Sequence, residues 1–98
     1  MVKATLNGTV LAESDETIVV EGNHYFPPST VNDKALTPSD THTTCPWKGV
    51  ASYYNASVPG VTPVKDVAWY YPTTITDKAK PIEGYVAFYK NKVTISDA

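Results

Sequence analysis

Apolar and polar residues alternate along this chain in short runs, and no apolar period of about 3.6 residues persists long enough to build a long helix. The runs read as strands instead. Val2 to Leu6 and Thr9 to Ala12 flank Asn7-Gly8, whose tolerance of positive φ makes it a strong hairpin cue. Thr17 to Glu21 is rich in β-branched residues, and Gly22-Asn23 turns it into His24-Tyr25-Phe26. Pro27-Pro28 ends that strand, because proline has no N–H to donate to a ladder. Residues 27 to 50 are rich in Pro, Ser, Thr and Asp and predict a long irregular connection: functional, disordered, or wrapped along a sheet edge. Strand signals return at Val50 to Asn55 and at Val67 to Tyr71, the latter stopped by Pro72. Thr76 to Lys80 predicts one helical turn before Pro81. Gly84 to Tyr89 is a clear strand, and Lys90-Asn91-Lys92 turns it into Val93-Thr94-Ile95.

Period-two alternation assigns faces. Val86 and Phe88 point one way, and Tyr85, Ala87 and Tyr89 the other. Both sets are apolar or aromatic, so this strand is expected to be covered on both sides. The same holds for Val67, Trp69 and Tyr71 against Ala68 and Tyr70. The expected fold is therefore all-β: a small antiparallel two-sheet arrangement, or a partly open barrel, of about eight short strands.

Composition narrows the class. The chain has 98 residues, which predicts one domain spanning 1–98. A domain of that size buries roughly 65% of its unfolded surface, enough for a core without metal or disulfide staples. Seven tyrosines, two tryptophans and two phenylalanines supply more aromatic surface than a simple core needs, and the surplus points to a pocket or a subunit interface. All eight basic residues are lysines; with ten acids the net charge is −2. Nucleic-acid binders lean on arginine and a basic surplus, so no nucleic-acid partner is expected. No apolar run is long enough to span a membrane, and no basic amphipathic helix is visible. The N-terminal residues carry no signal-peptide pattern, and a lone Cys45 fits a reducing compartment, so a cytoplasmic location is expected. The sequons at Asn7 and Asn55 then read as chance matches.

Candidate chemistry gathers in residues 40–54, DTHTTCPWKGVASYY. Cys45 has His42 and Lys48 each three positions away, a setting that can lower a thiol pKa. The span from Pro38 to Cys45 has the length of a peroxidatic Pro-x-x-x-Thr-x-x-Cys motif, but His42 stands at its threonine and no βαβ pattern surrounds it. A small buried apolar residue beside a proline turn is the preferred reading of Cys45. Lys48 opens a strand with Gly49 among Trp47, Tyr53 and Trp69. It reads either as an anion anchor or as a surface lysine whose stem lies on a ring. Glu21, at the end of a β-branched run, reads as a general base, as an ion partner of Lys48, or as an exposed strand-end charge. His24, His42 and Cys45 do not make a zinc pattern, so no metal and no cofactor is expected.

The ordered phrases VLAES, VEGNHYFP, THTTCPWKGVASYYN, DVAWYYP and PIEGYVAFY run through nearly the whole chain, from Ala4 to Ile95. Together they resemble the domain of unknown function 427 family. Its central phrase is a threonine, one residue, then Cys-Pro-aromatic-Lys-Gly, with a small residue and tyrosine following. Thr43, Cys45, Pro46, Trp47, Lys48, Gly49, Ala51, Tyr53 and Tyr54 fill those places, with tryptophan where tyrosine is commoner. The resemblance implies a compact antiparallel β fold of the β-tent kind, often homodimeric, and no assigned activity. A nucleotidyltransferase label sometimes attached to such domains finds no support in these residues, which hold neither a Gly-Ser turn nor an Asp-x-Asp pair.

The reading is a domain that binds a small anionic or aromatic ligand in an aromatic-lined cleft. Lys48 is the anchor, Trp69, Tyr53, Tyr25 and Tyr85 are the walls, Cys45-Pro46 shapes the floor, and Glu21 stands nearby. No residue is assigned a catalytic role. The alternatives are an enzyme using Cys45 or Lys48 covalently, and a homodimeric structural or adaptor module.

Overall fold

A computed structural model describes residues 1–97. Among them are nine strands and no α-helix. β1 (Val2–Leu6) pairs with β2 (Thr9–Ser14) and with β9 (Thr94–Asp97), making a three-stranded sheet in the order β2-β1-β9. β3 (Ile18–Val20) and β4 (Asn23–Tyr25) form a hairpin. β5 (Leu36–Cys45), β6 (Gly49–Ala56), β7 (Val64–Tyr70) and β8 (Val86–Phe88) form a four-stranded sheet in that order. Every pairing is antiparallel. No helix among the described residues is long and apolar enough to cross a membrane.

One bridge ties the hairpin to the larger sheet. Phe26 N–H donates to Val86 O at 2.8 Å, and Val86 N–H donates back to Phe26 O at 2.9 Å. This exchange satisfies the free edge of β8 and extends the sheet by the hairpin. Ala12 bridges Val31, which pins the segment after Phe26 to β2.

Two cores result, one on each face of the large sheet. On the first, the β2-β1-β9 sheet packs Val2, Ala4, Leu11 and Ala12 against Phe26, Val67, Ala68, Val86 and Phe88. Phe26 and Phe88 meet edge to face, ring centroids 5.6 Å apart. Each such ring contributes about 1.5–3 kcal/mol of burial. The second core is aromatic: Tyr25, Tyr53, Tyr71, Ile82 and Ala87, with Ile18, Val20, Cys45, Trp69, Tyr85 and Tyr89 half-buried around them. Neighbours in sequence thus part company, Tyr25 from Phe26 and Tyr53 from Tyr54, as a pleat demands.

The all-β, antiparallel expectation holds: the described residues form nine strands, in three sheets. No barrel closes, since the ladders end at β5, β3, β2 and β9, in keeping with an open arrangement. One expectation is corrected. Much of the supposed connection at 27–50 is the ten-residue strand β5. Its pattern hides because it is an edge strand: the register shifts between Pro38 and His42, and most side chains face water. The single turn predicted at Thr76 to Lys80 is present as Thr76–Ala79 and Asp77–Lys80 hydrogen bonds, followed by a 3₁₀ turn at Lys80–Ile82.

Gly49 fixes where β6 begins. Its φ is 113°, and a Cβ there would lie 2.9 Å from the carbonyl oxygen of Thr73. Gly22 has φ 78° but open space around its missing Cβ. In urea unfolding, Gly49→Ala should therefore cost about 2–4 kcal/mol and Gly22→Ala about 1 kcal/mol. Equal losses would show that the approach of Thr73 does not matter.

Glu83 closes the excursion between β7 and β8. Its Oε2 accepts from Thr74 N–H and Thr74 Oγ1, both at 3.0 Å, and Lys80 Nζ donates to Oε1 at 3.0 Å. The Thr74 N–H above all, then Lys80 and the Thr74 hydroxyl, pull the carboxyl down from 4.5 to about 2. A depressed folded-state value gives stability that is complete above the unfolded value and is lost as pH falls through the folded one. The window runs from about 4.5 down to about 2. Glu83→Gln should flatten the decline of Tm across it, and a decline matching wild type would remove Glu83 from the account.

Candidate functional site

Two hairpin tips meet at the second core. The first is Glu21-Gly22, between the paired residues Val20 and Asn23. Both take positive φ, 55° and 78°, which is the I′ geometry that suits the twist of a two-residue hairpin. Glutamate is a poor choice at such a position, where glycine, asparagine or aspartate is normal, and it carries strain. The second tip is Pro46-Trp47-Lys48, closed by the Cys45–Gly49 pair. It is held by Thr76 Oγ1, which donates to Trp47 O at 2.8 Å.

Lys48 points inward from that tip and is 6% exposed. Its ammonium is bonded to Glu21 Oε1. The nitrogen lies 5.2 Å from the Trp47 ring centre and 5.4 Å from that of Tyr71, so two ring faces help to replace lost water. Burial on its own would lower the lysine. The Glu21 carboxylate, with the phenols of Tyr25 and Tyr71, outweighs it and moves the group above its ordinary value of 10.5. Lys48 is thus a fixed cation. Its partner is different: the Glu21 side chain is 58% exposed.

Behind the ammonium runs a chain of rings. Trp69 Nε1–H donates to the Tyr25 hydroxyl at 3.1 Å, and the two rings sit edge to face. Trp69 packs on Tyr89 with centroids 4.7 Å apart, and Tyr89 stacks with Tyr53 at 6.4 Å. The Tyr53 hydroxyl shares a 2.8 Å hydrogen bond with Thr43 Oγ1. That hydrogen-bonded partnership with Tyr53, then burial, pushes the Tyr89 phenol up to about 12. Burial raises Tyr71 against the pull of Lys48. These phenols are neutral donors at physiological pH.

The seven residues singled out in the sequence fall around one core, though not as the walls of an open cleft. Tyr25 and Tyr53 are buried, Trp69, Tyr85 and Cys45 are half-buried, and Lys48 and Glu21 are paired at the mouth. Tyr53 reaches Thr43 and Tyr89, and Tyr85 lines the core. The site is filled by its own side chains, while two hollows of about 380 and 350 Å³ lie on the opposite face of the sheet. Tyr71 and Tyr89 were not singled out; alternation from Trp69 and Ala87 carries the signal for both. His24 Nδ1 is bonded to Thr17 at 2.8 Å, and His42 lies exposed beside Ser52. Among the described residues no three His, Cys, Asp or Glu side chains gather as metal ligands would.

A buried charge is poor value for stability when a packed apolar chain of similar volume can replace it. Lys48→Met keeps the stem between the rings and should leave stability unchanged or raise it by up to about 2 kcal/mol. Glu21→Gln strands the ammonium and should cost about 1–2 kcal/mol. Because the folded-state lysine is raised, the pair's contribution is full below 10.5 and fades as pH rises through the folded value. Thermal melts of both variants from neutral to alkaline pH test this. A large loss in Lys48→Met would show that the charge serves the fold.

The chain belongs to the family described as Domain of unknown function (DUF427), whose model matches residues 1–97. A comparison with curated proteins finds no match.

Proposed function

We propose that this member of the domain of unknown function 427 family binds a small molecule with a flat apolar body and one anionic group. One observation carries the reading: a buried ammonium whose ion partner is a water-exposed carboxylate on a strained turn. Glu21 is a resident stand-in. Its carboxylate needs little rehydration to leave, because its side chain is already more than half exposed, and an incoming anion makes good the charge it takes from Lys48. Lys48 cannot leave, since its stem is enclosed. A ligand carboxylate or phosphate that takes the place of Glu21 inherits a desolvated cation, where an ionic hydrogen bond is worth most.

The remaining residues divide by depth. Trp69, Tyr85 and Tyr89 are half-buried, and the parts of their rings left exposed are where an apolar body would rest. Tyr25 and Tyr53 stand behind them and fix their orientation through the Trp69 and Tyr89 contacts. Cys45 ends β5 against the same cluster. Lys78 adds a second ammonium over Trp47, 5.4 Å from the ring centre, so the mouth is positive once Glu21 withdraws.

Binding suits this arrangement better than turnover. General acids and bases work best with pKa values near the operating pH. Here the lysine is raised, the Tyr71 and Tyr89 phenols are raised and Glu83 is lowered, each away from neutrality. A covalent role for Lys48 needs a neutral amine, which its raised value opposes.

Titration by NMR with benzoate, and with benzamide as the uncharged control, tests the reading. Benzoate should bind more tightly than benzamide, Glu21→Gln should tighten benzoate about fivefold or more, and Lys48→Met should erase the preference for charge. If benzoate and benzamide bind alike in wild type and in both variants, the lysine is not an anchor and the reading fails.

A further inference from the structure

The geometry points to a second small-molecule site on the opposite face of the large sheet, one that takes a flat organic cation of the arylalkylamine kind. The hollow there has a volume of about 380 Å³. Cavities of roughly 300–1,000 Å³ are the size range in which small ligands are held. Tyr54 of β6 and Tyr70 of β7 stack at its base, centroids 4.9 Å apart and planes within 20°. Leu36, Val31 and Val86 line it with Pro28 and Pro72. Its one charged lining residue is Asp33, and no lysine lines it.

The wall that carries Asp33 is built in advance. A 3₁₀ turn at Pro28–Thr30 opens it, with Thr30 Oγ1 donating to Pro27 O at 2.7 Å. Asn32 N–H donates to Leu11 O at 2.7 Å, and Asn32 Nδ2 donates to Val10 O at 3.1 Å, which fastens the loop to β2. Asn32 Oδ1 in turn accepts from Lys34 N–H at 3.2 Å, and Ala35 N–H closes on Asn32 O. Asp33 sits at the crest of that Asx turn. Little ordering remains to be done when a ligand arrives.

The charge pattern selects the ligand. A stacked pair of electron-rich rings and one carboxylate favour a cation, through the ring quadrupoles and a direct ion pair. Burial first, then Tyr70 and the nearby Asp33 charge, raises the Tyr54 phenol, so it stays neutral and adds no competing anion. The prolines and aliphatic side chains favour a flat apolar body. The site is separate from Lys48, because Tyr54 and Tyr70 belong to the first core's face and Tyr53 and Trp69 to the second.

Tryptamine is the probe, with 3-ethylindole and indole-3-propionate as the neutral and anionic controls carrying the same ring. In amide NMR titrations of the full chain, tryptamine should shift Val31 to Leu36, Tyr54, Tyr70 and Gly84 to Val86, and bind at least about threefold more tightly than either control. Asp33→Asn should remove that margin, and Asp33→Lys should hand it to indole-3-propionate; Asp33 is exposed, so a thermal melt of each variant will confirm an intact fold. Equal affinity for the three indoles, an Asp33→Lys variant with unchanged preference, or shifts confined to the Lys48 face would each overturn the proposal.

Discussion

The paired hydrogen bonds between Phe26 and Val86 are the joint on which the molecule turns. They dock a hairpin of only three residues per strand, too short to persist alone in water, onto the edge of a stable sheet. Because the pleat alternates, the same joint delivers Phe26 to one core and Tyr25 to the other. It also sets the reach of the hairpin tip. Glu21 lies five residues before Phe26 along the hairpin, and the docking angle brings its carboxylate over a lysine from a different hairpin. The fold and the site therefore share one backbone contact.

Around that joint the charges are arranged economically. A lysine is nearly enclosed, its nitrogen facing two rings and one carboxylate, while the carboxylate itself stays wet. If the pair existed for stability, an enclosed partner or an apolar residue would serve better. The turn beneath Glu21 is strained as well, since Asn or Gly would relieve the backbone there. Two local rules are thus broken at one point in space, a buried cation with a wet partner and a glutamate at positive φ.

Much of this was written in the sequence, and the misses have physical causes. Alternation in Gly84 to Tyr89 gave the correct faces, because β8 is covered on both sides and both sets of side chains are apolar. Asn7-Gly8 marked its hairpin, since both residues take the positive φ their chemistry allows. The second hairpin was placed one residue late, at Gly22-Asn23, because Glu21 is not a residue that advertises positive φ. β5 was hidden by Pro38 and Asp40 within a register shift and by an outer side that needs no apolar residues. The alternation around Val67 also broke: Val67 joins Ala68 in the first core after Asp66 takes φ 55°. As for the site, composition announced a surplus of rings, and the spacing of Lys48 and Gly49 hinted at a turn. Nothing in the order of residues says that two tips lie together, because that depends on contacts 27 positions apart.

β5 runs along the outside of the large sheet for ten residues. A straight strand of that length would invite neighbouring molecules to add themselves one after another, the first step of fibril growth. This one is bent where the register slips between Pro38 and His42, and Asp66 grips both Ser39 and Thr41 at the bend. Proline lacks a donor, and the kink leaves no long flat template. The awkward segment thus guards the chain at high concentration, and smoothing it would trade a small gain in ladder bonds for a tendency to polymerise.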